Sequence, residues 1–524
     1  MKRSNPIAVV GAGPGGLASA MLLAASGLPV RVYEAMKTAG GRTGRLTSGR
    51  FAFDRGPTFF MMPYVLEEIF SAAGRRLGDY VDLRRLDPMY RLLIGQRDAH
   101  PLVIDTTQDV AEMVQQLDAI RPGDGAGFER FMRDNRRKLD LMTPILRRPV
   151  RGLRDLLTMD TLKVAPVLKP WQSVHDHLAG YFRSEASRLA TSFQSKYLGM
   201  SPFECPSLFS ILPFIEYEYG IWHPIGGCNA LTSAMAAACQ EMGVEIRCGQ
   251  PVTGLRFDGR RLTGIEAAGT MHDHEHAVIN ADATWALKHL IPAALRGRDT
   301  DQRIDSRDYS CSTFMLYLGI RGEVDLPHHT IYTSASYRDN LADIATRGRL
   351  SEDPSAYVCN PSRLDPTLAP PGDSSLYVLV PVPNLKGRVD WAREAEGLRQ
   401  TTLRQLERVF GLADIERRIQ TEVMFTPKDW RGMNINFGAT FNLAHSLRQM
   451  LHRRPQHRLP YTDGLWLVGG GTHPGSGLPV IFLSSQITSR MLCEEIGVQY
   501  AGDVPTDRTA QRVRALLPRV AAAL

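Results

Sequence analysis

Long hydrophobic runs are absent from this sequence of 524 residues. No segment approaches the roughly 18 consecutive apolar residues that a membrane-spanning helix requires. The apolar stretch 7–30 follows two basic residues, but glycines interrupt it where a signal peptide carries an unbroken apolar core. We therefore expect this stretch to belong to the fold, and any membrane contact to be peripheral.

Cysteine is sparse as well. The seven cysteines are scattered and include no C-x-x-C pair: Cys205, Cys228, Cys239, Cys248, Cys311, Cys359 and Cys493. An odd, scattered set predicts neither a disulfide framework nor a zinc cluster and fits a reducing cytosol. Apolar residues make up 43% and charged residues 22% of the chain. This balance excludes wholesale disorder, and the length allows two or three domains.

The sequence also shows no recognisable set of catalytic side chains, since neither a Ser/His/Asp arrangement nor a set of metal ligands can be found in it. Glu216 and Glu218 could share one face of a strand, and we expect them to be a solvated pair. His272, His274 and His276 alternate with acids. The turn that follows them favours an exposed hairpin over a metal site.

A glycine-rich turn near the amino terminus predicts a dinucleotide site. The run Ile7–Val10 reads as a strand and is followed by Gly11-Ala12-Gly13-Pro14-Gly15-Gly16 and a helical pattern. Gly11 permits the turn, Gly13 admits a pyrophosphate, and Gly16 allows close packing of helix and strand. A second strand over 30–33 ends at Glu34, whose carboxylate can accept both ribose hydroxyls and would repel a 2′-phosphate. The pattern argues against NADP.

No second unit of this kind occurs, because Gly469-Gly470-Gly471 lacks the required spacing. An enzyme that uses both FAD and NAD(P)H normally carries two such units. The remaining choice is between a nicotinamide dehydrogenase and a flavoprotein with another electron acceptor.

Further segments carry a resemblance that favours the flavoprotein. Gly40-Gly41-Arg42-Thr43-Gly44-Arg45 and Phe53-Asp54-Arg55-Gly56-Pro57-Thr58 resemble the flavin amine oxidase superfamily, in which the glycine doublet and arginine lie along the FAD pyrophosphate. More narrowly, the chain resembles the bacterial-type phytoene desaturase family of carotenoid-forming enzymes. That match rests on 53–63, Phe193-Gln194-Ser195, Ser201-Pro202, Glu218-Tyr219-Gly220-Ile221-Trp222 before Gly226-Gly227, and 464–479.

The resemblance implies FAD as the cofactor and names residues that contact it. The loop 469–479, before a helix over 480–495, lies against the flavin in the family, where its backbone N–H groups can stabilise negative charge. The backbone of Val252 is expected to meet the adenine. No catalytic side chain and no metal ligand is assigned, because the flavin carries the chemistry. The expected cofactor-binding residues are Gly11, Gly13, Pro14, Gly15, Gly16, Glu34, Ala35, Gly41, Arg42, Gly56, Pro57, Thr58, Val252, Gly470, Gly471, Gly477, Leu478 and Pro479.

The expected fold class is α/β. A discontinuous Rossmann-like FAD-binding domain with a parallel sheet carries an inserted α+β substrate domain and a helical, membrane-associating subdomain. The FAD-binding segments are 1–80, 221–300 and 456–500, the helix-rich substrate and membrane-associating region is 81–220, and 501–524 is a tail. The substrate domain, 301–455, contains strands over 312–320 and 376–382 that form one wall of a cavity. Candidates for its lining are Phe314, Tyr317, Tyr377, Phe437 and Phe441.

Positive charge is concentrated in 136–170. This segment contains nine basic and three acidic residues, and leucines are interspersed among them. This composition suits a segment in the headgroup layer of an anionic membrane, and the alternative is a solvated basic helix face. No recognition motif for nucleic acid accompanies the charge. The expected location is cytoplasmic, on the inner face of the cell membrane.

The favoured hypothesis is an FAD-dependent desaturase of a long acyclic polyene, of the phytoene or dehydrosqualene kind, with a quinone or oxygen as electron acceptor. Loss of hydride leaves a delocalised cation, and the neighbouring carbon then loses a proton. The segment Thr472-His473-Pro474-Gly475 favours this over a carotenoid terminal oxidase, although Arg55 and Ile225 depart from the family pattern.

Two competing hypotheses are an amine or porphyrinogen oxidase and a non-enzymatic isoprenoid-binding protein similar to Rab escort and dissociation-inhibitor proteins. The non-enzymatic hypothesis is disfavoured because the sequence retains Gly13, Glu34 and Arg42, which a protein without FAD need not keep.

Overall fold

A computed structural model of the protein describes residues 5–503, so most of the expected tail 501–524 lies outside the described residues. This part of the chain contains the strands β1 (Ile7–Val10), β2 (Val30–Glu34), β3 (Arg45–Ser48), β4 (Phe51–Asp54), β5 (Leu83–Arg85), β6 (Tyr90–Gln96), β7 (Ala99–Thr106), β8 (Trp222–Pro224), β9 (Glu245–Cys248), β10 (Val252–Asp258), β11 (Arg261–Ala267), β12 (Thr270–Asp273), β13 (Ala277–Ile279), β14 (Ser312–Ile320), β15 (His329–Thr333), β16 (Ala356–Cys359), β17 (Ser374–Val382), β18 (Ile419–Phe425) and β19 (Leu465–Leu467).

The α-helices are α1 (Pro14–Ala25), α2 (Pro63–Ala72), α3 (Val110–Ile120), α4 (Asp124–Leu146), α5 (Met159–Leu168), α6 (Val174–Leu178), α7 (Glu185–Ala190), α8 (Ile211–Tyr219), α9 (Asn229–Glu241), α10 (Ala283–His289), α11 (Asp301–Asp305), α12 (Tyr337–Ala342), α13 (Trp391–Arg408), α14 (Ile415–Arg418), α15 (Pro427–Gly432) and α16 (Leu478–Ile496). None of the helices within 5–503 is long and apolar enough to cross a membrane.

A parallel five-stranded sheet has the order β19-β13-β1-β2-β9. Its inner strands β13, β1 and β2 and the edge strand β19 are short and mostly buried because both faces are covered, whereas the edge strand β9 is partly exposed. Ile7 and Val9 pack toward α1, α9 and α16, whereas Ala8 and Val10 pack toward α10 and the small sheet β10-β11-β12. This is the Rossmann-like sheet that the sequence predicts, and the domain boundaries themselves stay a prediction.

A seven-stranded sheet of order β18-β14-β17-β16-β15-β6-β7 forms the second layer. Strand β14 has the predicted bounds, and β17 begins two residues before the predicted start. One face packs on α13, whose buried residues recur at helical spacing. The opposite face carries Met315, Tyr317 and Tyr377.

The prediction that 81–220 is helix-rich is wrong for its first part. β5, β6 and β7 occupy this stretch before the helices α3–α8 begin. Tyr90, Leu92 and Ile94 alternate inward on β6, and β6 joins the large sheet through a parallel pairing with β15. That partner lies more than 200 residues away, so no local pattern could indicate it.

Candidate active site

The turn between β1 and α1 leaves room only for glycine. Gly11 has a φ of +99°, in the region that favours glycine. A Cβ placed on Gly15 would lie 2.5 Å from Oδ1 of Asn280, and one placed on Gly16 would overlap the carbonyl oxygen of Gly11. Gly15 and Gly16 therefore serve close packing inside the protein, and Gly11, Gly13 and Gly15 line the cavity described below.

Glu34 ends β2 with its carboxylate turned toward this turn. Oε2 accepts from the N–H of Ala12 at 2.7 Å, and Oε1 accepts from the N–H of Met36 at 2.8 Å. Burial raises the pKa of Glu34, and the two backbone bonds oppose that rise. A carboxylate has about four lone-pair sites, so acceptors remain for ribose hydroxyls.

Arg42 brings positive charge beside the glycine turn. A Cβ on Gly41 would lie 3.4 Å from Cα of Gly13, so the two loops are in contact. Nη1 of Arg42 donates to the carbonyl oxygen of Thr440 at 2.8 Å. The Asn442 amide, oriented to donate to Oδ2 of Asp282 at 2.7 Å, accepts from Nη1 of Arg42 at 3.3 Å. Burial lowers the pKa of Arg42, but a guanidinium stays charged in proteins.

The loop 469–477 caps the opposite side of the site. Gly469, Gly475 and Gly477 have positive φ, and a Cβ on Gly475 would lie 2.7 Å from Nε2 of His445. The N–H of Ser476 donates to that same nitrogen at 3.2 Å. The loop enters the N-terminus of α16, where backbone N–H groups favour negative charge.

One continuous cavity of about 710 Å³ connects these pieces with the large sheet. Seventeen of the eighteen expected cofactor-binding residues line it, and Gly16 is the exception. The far half is bordered by apolar side chains of the sheet and of the helical region, among them Ile331, Leu341, Ile344, Leu379 and Met200. A polar cleft thus opens into an apolar chamber.

Two of the five aromatic residues predicted as lining, Tyr377 and Phe441, border the cavity. Phe314 packs in the core between sheet and α13, and Tyr317 donates a hydrogen bond to the carbonyl oxygen of Arg55. Phe437 instead makes an edge-to-face contact with Tyr309, with 4.9 Å between ring centroids.

Phe59 lies at the junction of the two halves of the cavity, directly after Thr58. Its ring is 5.3 Å from that of Tyr197 and 5.5 Å from that of Tyr357. Tyr357 hydrogen-bonds to Oγ1 of Thr58 at 2.6 Å and to Nδ1 of His329 at 2.7 Å. Aromatic rings therefore surround the cavity where the cleft opens into the apolar chamber.

The prediction of a solvated Glu216–Glu218 pair on a strand is wrong. Both residues lie on α8 and both are buried. Glu216 accepts from Tyr90 at 2.8 Å and from Gln194 at 2.9 Å, and burial raises its pKa to about 7. Glu218 forms a bidentate pair with Arg136, at 2.5 and 2.6 Å. Partners far away in the sequence stabilise both carboxyl groups inside the protein.

The hairpin with His272, His274 and His276 is not fully exposed as expected. His274 is buried and bonds to the carbonyl oxygen of Pro6 at 2.6 Å and to the hydroxyl of Tyr33 at 3.0 Å. A different group, His328, His329 and Cys359, comes together behind Tyr357, with donor atoms within 4.8 Å of one another. Sequence reasoning did not single it out.

Three other residues at the site were missed. Asn280 follows β13 and lines the cavity beside the glycine turn, where the carboxyl end of a parallel strand is a usual ligand position. Lys196 projects into the apolar half, and Arg454 is buried beneath the cap. No local pattern marks the last two.

Comparison with known proteins matches residues 14–489 to the flavin-containing amine oxidoreductases. A 4,4'-diapophytoene desaturase (4,4'-diapolycopene-forming) of a Methylomonas species is 40% identical over 502 residues, covering 95% of this chain and 97% of the relative. An all-trans-zeta-carotene desaturase of Myxococcus xanthus is 39% identical, covering 94% of each. A solved oxidoreductase from Methanosarcina mazei superposes with a TM-score of 0.63 at 18% identity, covering 94% of this chain and 100% of that one.

The chain belongs to the flavin-containing amine oxidoreductase family. It is an FAD-dependent oxidoreductase, and the cavity fits that cofactor. The glycine turn that lines the cavity at the N-terminus of α1, the buried carboxylate of Glu34 and the charge of Arg42 suit a ribose and a pyrophosphate. The cap presents backbone N–H groups where a flavin ring develops negative charge. Which individual residues touch FAD stays a prediction.

Proposed function

We propose that this enzyme is a carotenoid desaturase that introduces double bonds into a long acyclic polyene. The observation that carries the proposal is one continuous cavity, in which a cleft shaped for a dinucleotide continues into an apolar chamber walled by the large sheet. The relatives at 39% and 40% identity, which span nearly the whole chain, are desaturases of such polyenes.

FAD, when bound, supplies the acceptor for the hydride and its two electrons. The protein's own part is to orient an extended hydrocarbon, to exclude water and to tolerate a transient cation. Phe59, Tyr357 and Tyr377 border the cavity with aromatic rings, whose faces attract positive charge. The tyrosines stay protonated, because burial raises their pKa values far above the ordinary range.

Expression in bacteria that accumulate colourless phytoene, and in parallel its shorter diapophytoene analogue, tests this function. We expect loss of hydrogen pairs by mass and a red-shifted absorption in at least one host. Gain of oxygen on an already coloured polyene alone would instead assign the terminal oxidase reaction, and unchanged lipids in every host would contradict both.

The segment after α4 offers a surface for peripheral membrane contact. Large apolar side chains are exposed here: Leu153, Leu157, Met159, Leu162 and Trp171, each at least 64% exposed. Exposed Arg151, Arg154, Lys163 and Lys169 lie among them. Arg136 and Lys138 instead turn inward to Glu218 and Ser210, so the basic character of 136–170 is carried by its second half. Apolar and basic side chains together suit an anionic leaflet such as the inner face of the cell membrane.

Sedimentation with vesicles of phosphatidylglycerol and phosphatidylcholine tests this surface. We expect the double variant Leu157→Asp/Trp171→Asp to lose most vesicle binding while it retains FAD. The matched control Met424→Asp changes an exposed apolar residue on the distant strand β18 and is expected to bind as the wild type does. Equal loss in both variants would contradict the proposed surface.

A quinone or oxygen accepts the electrons in this proposal. The sequence carries one glycine turn of the dinucleotide type and no second site for NAD(P). Anaerobic reoxidation of the reduced holoenzyme by a soluble quinone, compared with oxygen and with NAD⁺, distinguishes the acceptors. Reoxidation by NAD⁺ at a comparable rate would overturn this assignment.

A further inference from the structure

Lys196 places an amine on the wall of the apolar half of the cavity. It lies in the short 3-10 helix Phe193–Leu198, and its Nζ is 4.7 Å from the ring centroid of Tyr337. The amine forms no hydrogen bond or ion pair with any residue in 5–503, and its ring contact is with Tyr337. A lysine without a carboxylate partner in an apolar chamber needs an explanation, because burying an unpaired charge is costly.

The position of Lys196 is close to the cap of the site. Gly199 ends the same 3-10 helix, and its carbonyl oxygen accepts from the N–H of Cys311 at 3.4 Å. A Cβ on Gly199 would lie 2.8 Å from the ring of Phe441, and the next residue, Asn442, lies beside Gly470 of the cap. The 3-10 helix that carries Lys196 therefore leads to the segment beside the cap.

The other ionisable groups on the cavity wall are poorly suited to accept a proton. The lining carboxylates are Glu34, which accepts two backbone N–H groups, and Asp282, which caps α10. Histidine is absent from the lining residues described. Burial raises the pKa of the Cys311 thiol to about 12, so neither it nor the buried tyrosine hydroxyls offer an anion at neutral pH.

We propose that Lys196, as the neutral amine, accepts the proton that leaves the substrate carbon next to the one that gives up hydride. The inference rests on the proposed desaturase function. The C–H bond breaks, its electron pair becomes the second bond of the new C=C, and the proton converts the amine to an ammonium ion. The hydride goes to FAD, the oxidant, and the ammonium returns its proton to solvent between turnovers.

Burial supports this role because it lowers the pKa of Lys196 to about 7, and Cys311 is the ionisable neighbour that opposes the shift. Tyr337 and Tyr197, also near the amine, stay neutral because burial raises their pKa values, and Arg338 stacks on Phe203 rather than approaching Lys196. A base whose pKa is close to the working pH transfers protons most effectively.

The first test measures the lysine directly and does not depend on turnover. NMR of the FAD-bound enzyme labelled at lysine Cε is expected to show a signal that titrates near pH 7 and disappears in Lys196→Arg. The signal of Lys138, whose pKa burial lowers to about 8, should remain in that variant. A Lys196 signal that titrates near the ordinary value of about 10.4 would overturn the proposal.

The second test uses turnover of the polyene by Lys196→Met, Lys196→Arg and Lys196→Ala. We expect about a 100-fold lower rate in each, with bound FAD unchanged and no loss of thermal midpoint, and partial recovery of Lys196→Ala with ethylamine. The wild-type rate should fall below pH 7, where the amine is protonated, and the variants should lose this dependence. The control Lys428→Met changes an exposed lysine on α15.

The outcomes separate the two proposals. A wild-type enzyme that converts no polyene would contradict the proposed function itself. A wild type that desaturates while Lys196→Arg matches its rate and pH dependence would contradict only the role of Lys196.

Discussion

The guanidinium of Arg454 donates a hydrogen bond of 2.7 Å to the carbonyl oxygen of Gly470, from beneath the cap of the site. The same side chain donates to the carbonyl oxygens of Thr472 at 3.2 Å and Leu443 at 3.3 Å. All of these acceptors are neutral, and Arg454 forms no ion pair among residues 5–503. Burial lowers the pKa of Arg454 to about 9, so a positive charge remains under the cap at neutral pH.

Arg454→Met is expected to lower the flavin midpoint potential, because a nearby positive charge stabilises the reduced, negatively charged cofactor. A decrease on the order of 30 mV corresponds to about 1.4 kcal/mol for a two-electron couple. Spectroelectrochemical titration of the holoenzyme measures it. Arg454→Lys retains the charge and should shift the potential less, and Arg458→Met, whose charge is paired with Glu495, is the control. Equal potentials in Arg454→Met and wild type would contradict the prediction.

Glu34→Gln is expected to weaken FAD binding. The variant loses a charged acceptor for the ribose and for the N–H groups of Ala12 and Met36. Charge-assisted hydrogen bonds of this kind correspond to about a 10- to 100-fold rise in Kd. Fluorescence titration of the apoprotein with FAD gives the value, and Glu245→Gln, on the neighbouring strand β9 but paired with Arg31 outside the site, should bind as the wild type does.

Gly16→Ala is expected to destabilise the protein by roughly 3 kcal/mol or more, because the added methyl overlaps the carbonyl oxygen of Gly11. Gly397 is a matched control, since it lies exposed in α13 with no atom within 4 Å of an added Cβ. Gly397→Ala should raise the free energy of unfolding by about 1 kcal/mol. Urea unfolding measures both, and a Gly16→Ala protein as stable as wild type would contradict the packing role of this glycine.

The local sequence pattern was sufficient to predict strands that are continuous apolar runs between turns. β1 and β14 have their predicted bounds because continuous apolar runs between turns form strands buried on both faces. The cofactor cleft was predictable in part for a similar reason. The glycine turn and Glu34 are predicted from backbone shape and from their position at strand ends, whereas Arg42 and the cap 469–479 were expected from the family resemblance.

Tertiary packing determines the environments of Glu216, Glu218 and Lys196, which the local sequence pattern did not predict. The alternation of Glu216, Tyr217 and Glu218 is typical of a strand, but α8 buries both acids against Tyr90 and Arg136, which are 126 and 82 residues away. The environment of Lys196 is an apolar chamber assembled from widely separated regions of the chain. Neither environment is encoded near these residues, so no motif could reveal it.

The stability of the protein is expected to depend on pH through Glu216, which is buried with Tyr90, Gln194 and Tyr197 around it. Its pKa is about 7 in the folded protein, against an ordinary value of 4.5, so the folded state holds a proton that the unfolded state releases. The free energy of unfolding therefore falls as pH rises from about 4.5 to about 7, by on the order of 3 kcal/mol from this group. Glu216→Gln removes that contribution. Urea unfolding should show the variant gaining stability relative to wild type between pH 5 and pH 7.5, whereas Glu129→Gln, an exposed acid on α4, should not. A constant difference between Glu216→Gln and wild type across this range would mean that the carboxyl group is ionised, and stabilised by its three partners, at both pH values.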